Sequence, residues 1–238
     1  MQTHKGKASR TPAGILNQGI DLYNQQKHDD ALVFFLSLPA DSGADSAEVA
    51  YYIGLCYTKL KRYEDAMLYL EQVVTSTNVP FERTMQCRFI LALIYTLTGR
   101  KRLASYELER LVEAKYKPAS VYAAMAHIAW EDNDVDACLE FYQKSLDTDP
   151  SSITAMNGFG YVLACEEKDL GKALSFCKKA VAASPESAAC LDSLGWVYYK
   201  MGIYAEAIRY LEMAEKIDKE NELIAEHIKA VSLAGDAK

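Results

Sequence analysis

The sequence predicts an all-α array of about six stacked helical hairpins, closed by one further helix at the C-terminal end. Three observations predict it: small residues recurring at a near-constant interval, apolar residues at helical spacing inside each repeat, and glycine or proline between the apolar segments. The small residues form two series. Ala31, Ala66, Ala104, Cys138, Ala173 and Ala207 are separated by 35, 38, 34, 35 and 34 residues. Gly19, Gly54, Ala92, Ala126, Gly160 and Gly195 keep step with them, twelve or thirteen residues upstream. Small residues at facing positions let two antiparallel helices approach closely, as a tight hairpin requires.

The expected repeats run over 12–46, 47–84, 85–118, 119–152, 153–187 and 188–220. The first pairs Gly19 with Ala31, and its second helix meets Pro39 early. The second holds its helices in Tyr51 to Tyr57 and Tyr63 to Leu70. The third carries extra residues before Phe81 and turns at Gly99. The fourth reads from Tyr122 to Pro150, with the acidic stretch Asp132 to Asp136 where the inter-helix turn should fall. The fifth reads from Met156 to Pro185, with one extra residue near Asp169. The sixth is the clearest: Leu191, Leu194, Gly195 and Tyr198 lie at i, i+3, i+4 and i+7, and Ala207, Leu211 and Ala214 mark the facing helix. Pro80, Pro118, Pro150 and Pro185 fall between repeats, where a proline ends one helix by removing a donor and restricting its predecessor. A last helix, Asn221 to about Ala234, would cover the apolar end of the stack, with Glu222, Glu226, His227 and Lys229 on its outer side. Residues 221–238 are thus a capping helix and tail, and residues 1–11 an expected disordered, weakly basic tail. No low-complexity linker divides the chain, so one domain is expected.

The paired small residues, Leu194-Gly195, Tyr198, Ala207 and the inter-repeat prolines resemble the tetratricopeptide repeat (TPR) family, whose period is about 34 residues. The resemblance spans about residues 12 to 234. Leu22 departs from it, standing where tyrosine is usual. It implies a right-handed superhelical solenoid that binds proteins, without saying which. It also argues against one kind of partner. TPR modules that hold a C-terminal carboxylate line the groove with Lys, Arg and Asn, whereas the matching positions here are Leu16, Ile20, Tyr52 and Ile90.

Composition narrows the function classes. The 238 residues carry 26 Lys and Arg against 33 Asp and Glu, a net charge of −7. An acidic chain is a poor phosphate-backbone binder, and the strongest basic cluster, Arg100 to Arg102, lacks interleaved aromatics; nucleic acid is not an expected partner. No apolar run reaches the roughly 18 residues a membrane helix needs, so no transmembrane segment is expected. The basic N-terminus has no apolar stretch behind it and does not read as a secretory signal. Cys56, Cys87, Cys138, Cys165, Cys177 and Cys190 form no C-x-x-C pair and read as small buried side chains. Reduced thiols without a signal point to the cytoplasm.

Candidate chemistry fails on spacing. Asp132 to Asp136 opens like a calcium loop, but Ala137 and Gln143 stand where Gly and Glu are required. Gly158 and Gly160 begin a dinucleotide fingerprint whose third glycine would be Leu163, with no strand before it. Gly171-Lys172 lacks the earlier glycine of a phosphate loop, since Glu166 stands there. Glu166 and Glu167 are adjacent and point apart. His4 lies in the tail, and His28 and His227 fall at expected exposed positions. Only His127, one turn before Trp130, could contact a ligand. The expectation is therefore no enzyme, no cofactor and no metal.

The first helices have a second stripe, at i, i+3, i+7 and i+10, that could face the inside of the array. Of its 24 positions only Glu48 and Asp192 are charged, against about six at the chain's average of a quarter. A solvated face should be richer in charge, whereas aromatic enrichment suits an interface core. The candidate groove residues are Tyr23, Tyr51, Leu55, Phe89, Leu93, His127, Trp130, Asn157, Tyr161, Asp192, Trp196 and Tyr199. Trp130, Tyr161, Trp196 and Tyr199 are the expected anchors; Asn157, Asp192 and His127 would set register. The competing reading makes the stripe core, packed between neighbouring first helices. The expected function is a non-catalytic adaptor or scaffold holding a peptide or helix of a protein partner. The alternatives are a chaperone-like holder of an assembly or secretion subunit and a self-associating structural protein.

Overall fold

The computed structural model describes residues 12–39 and 41–235, so the expected tail at 1–11 lies outside the described residues. Among them are thirteen α-helices and no strand. The chain forms two compact units that meet in sequence at Ala114 and Lys115. The first unit holds three hairpins: α1 (Pro12–Asn24) with α2 (His28–Leu36), α3 (Ser46–Lys59) with α4 (Tyr63–Thr75), and α5 (Phe81–Leu97) with α6 (Lys101–Glu113). The second holds α7 (Pro118–Glu131) with α8 (Val135–Thr148), α9 (Ile153–Cys165) with α10 (Leu170–Ala183), and α11 (Ala188–Lys200) with α12 (Tyr204–Ile217), followed by α13 (Glu222–Gly235). Within each unit the second helix of one hairpin packs on the first helix of the next, and α13 packs on α12 and α11.

The two series of small residues do what their spacing implies. Ala31, Ala66, Ala104, Cys138, Ala173 and Ala207 all have no exposed surface. A Cβ on Gly160 would lie 2.5 Å from Cys177 Sγ and 3.0 Å from the Ala173 carbonyl oxygen. One on Gly195 would lie 2.7 Å from Leu211 Cγ and 3.1 Å from the Ala207 oxygen. The helices touch backbone to side chain there, with no room for a methyl group. Gly158 and Gly160 are therefore packing residues, and the Tyr142 ring fills the space over Gly158.

Each hairpin turns by the same device. The second residue after the first helix is left-handed in all six: Gln26, Lys61, Gly99, Asn133, Glu167 and Gly202 have φ between 51° and 73°. The next amide then donates back five residues, as in Arg62 N to Tyr57 O (2.9 Å), Asp134 N to Ala129 O (2.9 Å) and Ile203 N to Tyr198 O (2.9 Å). This bond satisfies a carbonyl that the helix end would otherwise orphan. The acidic stretch at 132–136 is one such turn, and Asp134 caps α8 by accepting from Ala137 N. The extra residue of the fifth repeat is absorbed by a second left-handed position, Asp169 (φ 41°), whose carboxylate caps α10. The early Pro39 leaves α2 only nine residues long, and the extra residues before Phe81 precede a 17-residue α5.

Cys56, Cys87, Cys138, Cys177 and Cys190 are buried and Cys165 half-buried, all as free thiols. The expected exposure of two histidines is corrected. His227 is only 5% exposed, and His28 is half-buried against Tyr23, ring centroids 5.1 Å apart. Both sit where an adjacent helix closes over them, which local polarity does not reveal.

Candidate functional site

The stripe on the first helices is best read by register, counted from the small residue on each of them, Gly19, Gly54, Ala92, Ala126, Gly160 and Gly195. Three residues before it stand Tyr51, Phe89, Asn157 and Asp192, together with Leu16 and Ala123. Leu16, Tyr51, Ala123 and Asp192 are 2%, 8%, 4% and 5% exposed. This register faces the neighbouring first helix, so it is largely internal; Phe89 and Asn157 alone remain half-buried. One residue after the small residue stand Leu55 (6% exposed), Leu93 (40%), His127, Tyr161 and Trp196. Four after it stand Tyr23, Trp130 and Tyr199, all half-buried. Tyr51, Leu55 and Asp192 are thus corrections: they retain too little surface to contact a partner.

In the first unit the aromatics pack locally. Tyr23 meets Tyr52 at 6.3 Å between centroids, and Tyr52 stacks on Phe35 at 5.2 Å. The Tyr51 hydroxyl donates to Gln86 Oε1 (2.8 Å), while Arg83 lies over its ring and pairs with Glu48 (3.0 Å). Burial pushes the Tyr51 hydroxyl up to about 12, so it is a donor and not a phenolate at neutral pH. No ring contact joins Tyr23 or Tyr51 to Phe89. The expected wall is broken here.

The second unit brings its candidates together. Trp130 meets Tyr161 edge-on at 6.4 Å, Trp196 lies 4.9 Å from Tyr199, and the His227 ring stacks on Trp196 at 4.0 Å and leans on Tyr161 at 6.1 Å. His227 Nδ1 lies 2.8 Å from Asp192 Oδ1, both side chains nearly sealed. With the carboxylate as acceptor, the ring proton sits on Nδ1. Asp192 is therefore spoken for by α13 and does not set a partner's register. Lys200 lies over the Trp196 ring at 5.5 Å and pairs with Glu167 at 2.9 Å. His127 is exposed and pairs only with Glu131 on its own helix (3.3 Å).

Two buried polar atoms in this cluster lack an oxygen or nitrogen partner. Asn157 Oδ1 is buried without a donor, and Trp196 Nε1 is buried with no oxygen or nitrogen acceptor. The Cys165 thiol sits among Tyr161, Trp196 and Lys200; burial pushes it up, and those three groups act against that rise. Burial likewise pushes Tyr161 upward. The group offers partly exposed ring faces, not a nucleophile poised beside a base. Among the described residues, no three His, Cys, Asp or Glu side chains gather to hold a metal ion, and no helix is long and apolar enough to cross a membrane.

Sequence reasoning passed over His227, Cys165 and Lys200 as members of this cluster. His227 carried a usable signal. It lies 35 residues after Asp192, one repeat on in the same register, so α13 behaves as the first helix of a seventh repeat.

Sequence profiles of the tetratricopeptide repeat match residues 16–82, 119–152 and 188–221, together more than half of the chain. No curated protein sequence matches it. Among solved structures, a chain of the APC/C hetero-tetramer Cut9–Hcn1 superposes with a TM-score of 0.75 at 12% identity, covering 94% of this chain and 43% of its own. This chain thus spans less than half the length of that relative. A tetratricopeptide repeat protein from Parabacteroides merdae gives 0.72 at 15% identity, covering 96% of this chain and 87% of its own. YrrB, described as a TPR protein with an unusual peptide-binding site, gives 0.51 at 15% identity, over 89% and 97%. At these identities the likeness shows the fold alone. With paired small residues facing each other in every hairpin, left-handed turns between the helices and three matching repeat profiles, the chain belongs to the tetratricopeptide repeat family.

Proposed function

We propose that the chain is a non-catalytic adaptor whose second unit holds a peptide or helix of a protein partner against Trp130, Tyr161, Trp196 and Tyr199. The observation that carries this reading is the run of partly exposed rings, with Trp130 against Tyr161 and Trp196 against Tyr199. The rings supply contact area at small entropic cost, since each has only two rotatable side-chain bonds. Tyr23, Phe89 and Leu93 of the first unit retain exposed surface but form no shared cluster. The peptide-binding site named for YrrB, a protein of the same fold, is consistent with this role. Five buried thiols without disulfides fit a reducing compartment, and we place the protein in the cytoplasm.

The test replaces Trp130 and Tyr161 together by Ala, confirms helicity by circular dichroism, and repeats affinity capture from native extract. A central aromatic anchor is worth about 2 kcal/mol or more, roughly thirtyfold in affinity, so the captured partner should be lost. Unchanged capture by the double variant refutes the groove.

A further inference from the structure

The aromatic wall of the second unit is partly covered by the chain itself. The His227 ring, on α13, stacks on Trp196 with centroids 4.0 Å apart and planes 20° from parallel, and it reaches the Tyr161 ring at 6.1 Å. Two of the four proposed anchors thus already carry a ring from α13. A partner that stacks on the covered Trp196 face has to displace His227. The cover is fastened differently from the helices it lies on. α13 buries three of its fourteen residues, Ile224, His227 and Val231, whereas α11 buries eight of thirteen and α9 seven of thirteen. It packs mainly on α12 and α11. At the centre of that small contact stands a polar pair, His227 Nδ1 to Asp192 Oδ1 at 2.8 Å. Such a pair fixes orientation but adds less net hold than apolar side chains of similar volume, because both groups have given up water. The segment that joins α13 to α12 begins with Asp218, Lys219 and Glu220, all exposed. A helix set in one orientation by a polar pair and held by little apolar surface can open as a unit.

We infer that α13 is an autoinhibitory cover: docked, it occupies the Trp196 face, and a partner engages the whole ring wall only as α13 opens. This regulation rests on the groove proposed above, since it is competition for the same rings. A tethered helix faces its seat at an effective concentration of about a millimolar, so it competes well against a partner in solution. The partner's apparent affinity then falls in proportion to the fraction of chains with α13 open. A change that loosens α13 without touching a ring therefore raises partner binding. An inert end cap behaves in the opposite way, because loosening it removes support from α11 and gains nothing.

The test uses the full chain with Ile224→Ala, which trims a side chain 2% exposed and keeps every ring and the Asp192–His227 pair. Circular dichroism checks that the rest stays folded. Cover is read by acrylamide quenching of Trp196 fluorescence, with the chain's other tryptophan replaced by Trp130→Phe. Ile224→Ala should raise the quenching constant about twofold or more, because a larger fraction of chains is open. Excess synthetic peptide of residues 221–235 should return it toward the parent value, and the same peptide carrying His227→Ala should not. Partner binding is read by affinity capture from native extract, with Trp130 intact and bait limiting. Ile224→Ala should raise capture about threefold or more, and the peptide should reverse the gain. Trp130→Ala with Tyr161→Ala should abolish it. His227→Ala, which removes the covering ring itself, should raise both readings. Quenching unchanged in both variants, or quenching raised without more capture, overturns the inference. So does a gain in capture that survives loss of the two rings, which would mark adhesion to the bared apolar seat. Parent capture indifferent to loss of the two rings refutes the groove and this regulation with it. Parent capture that needs the rings but is unchanged by Ile224→Ala refutes the cover alone.

Discussion

Replacing His227 by Ala tests how the end of the second unit is held. The change removes a charge-assisted hydrogen bond to Asp192, a ring stacked 4.0 Å over Trp196, and the cover over a carboxylate that is 7% exposed. The bond alone is worth about 1.5–3 kcal/mol. Breaking a buried pair from one side costs about 3–5 kcal/mol, because the remaining charge is left without a partner. The loss has a ceiling, since α13 packs mainly on α12 and α11 at the edge of the second unit and can open locally without unfolding the rest. Its attachment otherwise rests on Ile224 and Val231, each 2% exposed and worth roughly 1.5–3 kcal/mol, with half-buried Ile228 beside them. A loss near 3 kcal/mol is comparable to that attachment, so it should emerge as local opening. Hydrogen exchange followed by mass spectrometry should show α13 amides exchanging about a hundredfold faster, while α7 to α10 change little. Adding Asp192→Ala should cost less than its effect in the parent, because the stranded carboxylate is gone; a coupling above about 0.5 kcal/mol is expected. Exchange in α13 within about threefold of the parent would show that the Asp192–His227 pair does not hold this helix.

Other outcomes follow from the same geometry. Gly160→Ala should destabilise by about 1–3 kcal/mol in urea unfolding, since its Cβ meets Cys177 Sγ at 2.5 Å, whereas Gly171→Ala, with only Asp169 Oδ1 at 3.6 Å, should stabilise by about 0.5–1 kcal/mol. A reversed order of these two would refute the packing account. Lys61→Gly should raise stability by about 1 kcal/mol, because the lysine holds φ 58° at a turn that glycine adopts without strain; an unchanged midpoint contradicts this. Alkali should weaken the fold. Burial pushes the Cys87 and Cys177 thiols up to about 12 from an ordinary 9.0, so each keeps its proton better when folded. Their contribution is complete below about pH 9 and declines as pH rises toward 12, by about 1.4 kcal/mol per thiol per unit. Urea midpoints equal at pH 8 and pH 10 would contradict it.

The hairpins were legible in the sequence because what makes them is local and repeated. A glycine or alanine facing an alanine or cysteine twelve or thirteen residues on leaves room for two helices to touch. Those signals recur every 34 to 38 residues and need no knowledge of distant partners. Exposure along the first helices is different, because it is decided by a neighbour a full repeat away. Tyr51, Leu55 and Asp192 share the periodicity of Trp130 and Tyr161, yet tertiary packing takes the first three out of reach and leaves the other two partly open. His227 reads as a polar outer residue until α13 docks, when Asp192 and Trp196 enclose it. Chain chemistry determined which helices form and how they pair; assembly of those pairs determined which faces remain for a partner, since burial sums contacts from elements that no local window contains.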